Sequence, residues 1–163
     1  MSSIVRAAGM VVYRRVNHQF EYLLLQASYP PYHWTPPKGH LDPGEDEWAA
    51  AVRETKEEAG ISIEHLDVHK DFEEVLQYEV KQSRYDDEVT KQKTVRYWLA
   101  RLVDSDAVKL SDEHQKMKWA PVDEAIHIAQ FEDIGKLFRK AEEFLQKKAK
   151  RIPMCAFLRD HEL

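Results

Sequence analysis

One stretch, Gly39 to Ile61, constrains the chain more than any other. Asp42-Pro43-Gly44 signals a turn, because proline presets φ and glycine accepts φ > 0. Glu45, Asp46 and Glu47 follow, and a helix N-terminus favours such negative charge. Helical spacing then runs to Ala59, with Gly60 as a C-terminal cap. Trp48, Val52, Thr55 and Ala59 recur at i, i+4, i+7 and i+11, which predicts one buried stripe. Glu54, Glu57 and Glu58 share another face of the same helix.

Three clustered carboxylates repel one another and stay ionised together only beside positive charge. Arg53 supplies one such charge. A solvated acidic face would explain three glutamates alone, whereas a hard divalent cation with oxygen ligands explains their clustering. The spacing favours the cation. Gly39, five residues, Glu45, seven residues, Arg53-Glu54, two residues, Glu57-Glu58, one residue and Gly60, then apolar Ile61, resembles the Nudix box of the Nudix hydrolases. At average residue usage these positions coincide about once in 10⁸ starting points. Thr55 departs from the family, which usually carries an aliphatic residue there.

The chain has 163 residues, enough for one domain around one core. Its 43% hydrophobic and 33% charged content describes a globular protein. No run of 18 apolar residues predicts a membrane span. The first residues lack an apolar h-region, so no signal peptide is expected. A single cysteine, Cys155, suits a reducing compartment, and a cytoplasmic location, also nuclear, is expected. The net charge is −5, yet residues 136–151 carry seven basic and two acidic residues, leaving −10 for the remainder. So acidic a body makes nucleic acid an unfavourable partner.

Strands are expected over Ile4–Arg15, Tyr22–Ala27, Leu66–His69, Phe72–Val80, Lys93–Val103 and Met117–Ala120. Asn17-His18 marks a hairpin. Four prolines between Tyr29 and Lys38 predict a stiff aromatic loop. A charged loop is expected over Lys81–Gln92, and helices over Asp123–Ala129 and Ile134–Lys148. Strands broken by one central helix and closed by another predict an α/β sandwich. The Nudix resemblance implies the same α/β/α architecture, with a mixed sheet and the box as loop–helix–loop. Residues 1–148 are expected to form this domain, with the box at 39–61 and a tail at 149–163.

Flanking residues narrow the resemblance. Trp34-Thr35-Pro36-Pro37-Lys38-Gly39-His40, Leu23 to Ser28, Thr94 to Ala100 and Leu110 to Gln115 look like the animal-type asymmetrical diadenosine tetraphosphate hydrolases, over about Ala7 to Phe144. That resemblance implies a monomer that cleaves a small dinucleoside polyphosphate, diadenosine tetraphosphate, to ATP and AMP. It implies a Mg²⁺ (or Mn²⁺) cofactor held by Glu54, Glu58, Glu57, the Gly39 backbone and Glu113, with Arg53 among the catalytic group. Either Glu57 or Glu113 would take the proton from water. Lys38, His40, Lys93 and Tyr97 would contact phosphates. Tyr78 and Phe131 match two positions that sandwich a base; an ordinary core role is the competing explanation. Tyr29 and His33, with Tyr32, would line the path of the second nucleoside. Other Nudix substrates compete: 5′-triphosphate RNA, capped RNA or an inositol pyrophosphate. A catalytically silent nucleotide sensor is a further alternative.

Overall fold

In the strands at the centre of this protein, neighbouring residues are buried on opposite sides. The computed structural model describes residues 4–84, 87–103 and 114–151. Strand β1 spans Ile4–Val16, β2 Gln19–Ala27, β3 Trp34–Thr35 and β4 Lys38–His40. Helix α1 spans Glu47–Ala59, followed by one 3₁₀ turn, Ile63–His65. Strands β5 (Leu66–Arg84), β6 (Asp87–Leu102) and β7 (His114–Ala120) lead to helices α2 (Val122–Ala129) and α3 (Glu132–Arg151).

The strands form one mixed sheet in the order β3-β2-β1-β6-β5, with β4 also on β1 and β7 on β2. β1 is the junction. It runs parallel to β6 from Ile4↔Gln92 to Tyr13↔Arg101. Its other edge is shared, antiparallel, between β4 at Ala7–Gly9 and β2 at Tyr13–Val16. The hairpin turn at Asn17 and His18 has φ of 52° and 67°, the left-handed pair that matches strand twist in a two-residue loop.

Both faces of the sheet are covered. Ala7, Val11, Tyr22, Leu24 and Leu99 pack with Leu137 and Phe138 of α3. Ala8, Met10, Val12, Leu23 and Leu25 pack with Ala50, Ala51 and Ala59 of α1. The period of two along each strand therefore feeds two cores, and the strands read as unbroken apolar runs. This is the expected α/β/α sandwich.

Several boundaries differ from expectation. Leu66–His69 and Phe72–Val80 belong to one strand, β5, with a register shift between His69 and Glu73. The expected charged loop at 81–92 is largely strand, since β5 and β6 stay paired out to Arg84↔Asp87. The proline-rich loop ends in β3 and β4. α3 continues three residues past Lys148, and Lys148 lies over the Phe144 ring.

The stripe expected on α1 is rotated by about one residue. Its buried positions are Ala50, Ala51, Thr55, Glu58 and Ala59, while Trp48 is 37% exposed and meets Trp98 edge-on. Small Ala50 and Ala51 let the helix lie close to the sheet, which leaves no room for an indole beneath it. Thr55 fits its apolar niche because its hydroxyl donates to the Ala51 carbonyl oxygen at 2.7 Å, so no polar atom is orphaned.

Gly9 is where β1 and β4 come closest. A Cβ there would overlap the Pro37 carbonyl oxygen and the Lys38 Cβ, and would lie 2.9 Å from Tyr97 Cε1. Gly9→Ala should therefore act as overpacking, costing ~1–3 kcal/mol. Calorimetry should show Tm lower by about 3–10 °C; an unchanged Tm would mean that the close approach is not structural.

Candidate active site

The box helix starts where its capping chemistry directs. The Asp46 carboxylate accepts from the Ala49 N–H at 2.7 Å, and Gly60 ends the helix at φ 72°. Between those caps, Arg53 ties the preceding loop to the helix. Its Nε and Nη2 donate to Glu45 at 2.8 and 2.9 Å, and Nη2 also reaches the His40 carbonyl oxygen at 2.9 Å. Nη1 donates to Glu54 at 2.8 Å and Glu57 at 3.0 Å. These bonds use every N–H of the guanidinium. They hold the Glu45 carboxyl down at about 2 and push the arginine further up. Arg53, expected in the catalytic group, faces its own loop and helix.

The three glutamates separate. Glu54 and Glu58 line a cleft of about 720 Å³, a size common for small-molecule sites. Glu57 does not: its side chain is 59% exposed and turned to Arg53. Among the described residues no group of three acidic, histidine or cysteine side chains converges, and of the three glutamates Glu54 and Glu58 alone line the cleft. One helical turn separates Glu57 from Arg53, and that pairing draws it away. Glu113 lies outside the described residues.

Glu58 is only 8% exposed. Burial, reinforced by the Glu54 charge, pushes its carboxyl up to about 8, against the Lys38 N–H that donates to it at 3.3 Å. Burial also raises Glu54, although Arg53 opposes the rise. Gly39 makes the pair possible from the other side, since a Cβ there would overlap the Glu54 carboxylate. One buried and one partly buried carboxylate, both of raised pKa, against a backbone stripped to glycine, fit a hard cation. Mg²⁺ in particular takes one or two protein carboxylates and completes its shell with water and substrate phosphate. Glu54 and Glu58 would hold such a divalent ion.

The cleft gathers most of the other expected residues. Lys38, His40 and Lys93 line it together. Burial lowers the Lys93 ammonium to about 8, helped by Lys38. Burial, then Lys93 and Lys38, lowers His40. Two mutually repelling lysines with an imidazole beside them, in a half-buried site, fit a polyanion. Tyr97 lies fully buried on the floor, and its hydroxyl has no hydrogen-bond partner among the described residues. Burial, then Tyr78 and Glu58, raises its pKa. An orphaned buried hydroxyl is costly unless a ligand reaches it.

Tyr78 and Phe131 both line the cleft. Phe131 is 44% exposed, so the core explanation fails for it. It is mounted after Gln130, which caps α2 in the left-handed region at φ 63°, and its ring meets His33 at 4.4 Å between centroids. Tyr78 packs partly on the core and carries Lys93 Nζ 5.8 Å from its ring centroid. His33 and Tyr29 line the rim; Tyr32 does not. Asp42, Thr35 and Asp133 also line the cleft and were not anticipated. Asp42 sits in the turn of the box, where its role in turn formation hides any other, and Asp133 reads as ordinary first-turn acidity of a helix.

Comparison with known proteins agrees with this geometry. The chain is 55% identical over 142 residues to the asymmetrical bis(5′-nucleosyl)-tetraphosphatase of Caenorhabditis elegans, covering 87% of this chain and 97% of that protein. The rat enzyme of the same name is 43% identical over 148 residues, covering 86% of this chain and 95% of that protein. A crystal structure of a C. elegans Ap4A hydrolase binary complex superposes with a TM-score of 0.79 at 53% identity, over 88% of this chain and 98% of that one. The NUDIX domain matches residues 4–141, which hold the whole sheet, the box helix and the cleft: the chain belongs to the Nudix family.

Proposed function

We propose that this protein hydrolyses diadenosine tetraphosphate asymmetrically, to ATP and AMP. The observation that carries this reading is one cleft combining the Glu54–Glu58 carboxylate pair, two lysines with a histidine, and two aromatic rings. Relatives that cover nearly their whole length bear the name of that activity. The aromatic rings distinguish a nucleotide from an inositol pyrophosphate, which has no flat face to stack. The retained Arg53, Glu54 and Glu58 argue against a silent sensor, and the net charge of −5 against RNA.

Each wall has a task. Lys38, His40 and Lys93 bind the phosphate chain and hold it against the box. The Tyr97 hydroxyl donates to an oxygen at the cleft floor. Tyr78 and Phe131 sandwich one adenine, and Tyr29 and His33 border the path of the second nucleoside. Glu54 and Glu58 hold a divalent ion, which Nudix hydrolases generally need; Mg²⁺ or Mn²⁺ is proposed here. Such an ion, when bound, neutralises charge developing on phosphate and lowers the pKa of water. Arg53 keeps the two carboxylates placed. Glu113 keeps the role the family implies, as ligand or base. The proposed state is a monomer acting in the cytoplasm, also the nucleus.

Chromatography of the products with Mg²⁺ should give ATP and AMP in equal amounts, and Glu58→Gln should lower kcat by at least ~10²-fold, as loss of a strong electrostatic stabiliser does. ADP as the main product, or full turnover by the variant or in EDTA, would overturn the mechanism.

Binding of the ion must displace the proton that Glu58, at about 8, still holds near neutrality. A raised acid is protonated below its folded pKa, so affinity should rise with pH between about 6 and 8, by up to about tenfold per unit, and level off above. Titration calorimetry with Mn²⁺ reads this directly. A dissociation constant independent of pH across that window would remove Glu58 from the site.

Aromatic–base stacks are worth ~1–3 kcal/mol by alanine substitution. Phe131→Ala should therefore reduce kcat/KM by ~10–100-fold, while Phe131→Tyr stays near wild type. Because Phe131 is half out of the protein, the alanine variant should fold normally. A folded Phe131→Ala protein with undiminished activity would refute the clamp.

A further inference from the structure

The cleft is electrically lopsided. Lys38, His40 and Lys93 gather beside Glu54 and Glu58, where phosphate and a cation would meet. Tyr78 stands next to them, with Lys93 on its ring. Tyr78 also feels a charge of the other sign, the Asp133 carboxylate. Asp133 lines the same cleft from the first turn of α3, two residues beyond Phe131. Its neighbour Glu132 is occupied by Lys136 at 3.4 Å. Asp133 makes neither a hydrogen bond nor an ion pair among the described residues.

A carboxylate is an unfavourable lining for a site that must accept a polyanion, since like charges repel in a partly desolvated cleft. Its place beside the aromatic pair gives it a use. A base between Tyr78 and Phe131 stacks through its faces and leaves its edges to be read by hydrogen bonds. An ionised carboxylate is an acceptor only. It can take an N–H from an amino group and is repelled by a carbonyl oxygen at the same place. Adenine offers an amino group on C6; hypoxanthine offers an oxygen at that place and carries its donor on N1 instead.

We propose that Asp133 is a specificity-determining residue: its carboxylate accepts a hydrogen bond from the 6-amino group of the base held between Tyr78 and Phe131, and disfavours bases with a 6-oxo group. It rests on the dinucleotide substrate proposed above. Complementing the N-terminal dipole of α3 is the ordinary use of an aspartate here. That use would affect Tm but not the choice between two bases.

The test compares diadenosine with diinosine tetraphosphate, in the full-length protein with Mg²⁺. Wild-type kcat/KM should favour the adenosine substrate by about tenfold, the value of one charge-assisted hydrogen bond at a half-exposed rim. In Asp133→Asn the side chain keeps its size and can turn either an acceptor or a donor to the base, so the ratio should fall to within about twofold of unity. Most of the change should appear in KM, because the phosphate end is untouched. A wild-type ratio near unity, or a ratio that survives the substitution, would overturn the role of Asp133. Failure of the wild-type protein to hydrolyse either compound would instead overturn the substrate itself.

Discussion

Two carboxylates, Glu54 and Glu58, are held side by side against a sheet from which water is largely excluded, and the surrounding elements are arranged to tolerate that repulsion. Glycine at position 39 leaves space for one of them, the Lys38 N–H donates to the other, and Arg53 pins the first from behind. The pKa of Glu58, raised by burial, records the remaining cost. Such a pair is unfavourable by itself and becomes favourable when a cation is placed between the carboxylates and a phosphate. The site is preorganised for that event because its unfavourable charge is already assembled.

The fold makes this arrangement rigid. β1 is gripped along one edge by β6 and along the other by β4 and β2, and each of its faces is buried under a helix. Lys38, Gly39 and His40 therefore sit on a strand rather than in a loop. α1 approaches on its alanine face, which brings the backbone close and lets Glu58 point inward while Glu57 points out. Phe131, on the connection between α2 and α3, lines the same cleft, so the box carboxylates and the exposed ring come from different layers of the sandwich.

Much of this was legible in the residues. The caps of α1, the alternating burial of the strands and the hairpin at Asn17-His18 follow from local rules, because each depends on neighbours within a few positions. The box spacing pointed to a cation site and to its family. Lys38, His40, Lys93, Tyr97, Tyr78 and Phe131, taken from resemblance, come together in one cleft although they span 94 positions of chain from Lys38 to Phe131. Where expectation and structure part, the reason is packing. Trp48 was placed inward by periodicity, but the helix turned its small residues to the sheet. The charged segment before Gln92 looked like a loop, yet strand pairing continued through it, since polar residues are no obstacle to a ladder made of backbone bonds.

The sequence by itself therefore determined the elements, the sandwich and the residue types available for chemistry, because propensity, capping and hydrophobic period are properties of short stretches. Only the tertiary structure decided which of three equivalent-looking glutamates enter the cleft. Glu54, Glu57 and Glu58 share one side of a helix, and local rules treat them alike. The angle at which α1 meets the sheet, set by Ala50, Ala51 and Ala59, turns two inward, while Arg53, one helical turn away, holds the third outside. In the same way Asp133 is an unremarkable helix-start residue until α3 docks and carries its carboxylate to Tyr78. Both outcomes depend on contacts between residues far apart in the chain, and no local pattern encodes a docking angle.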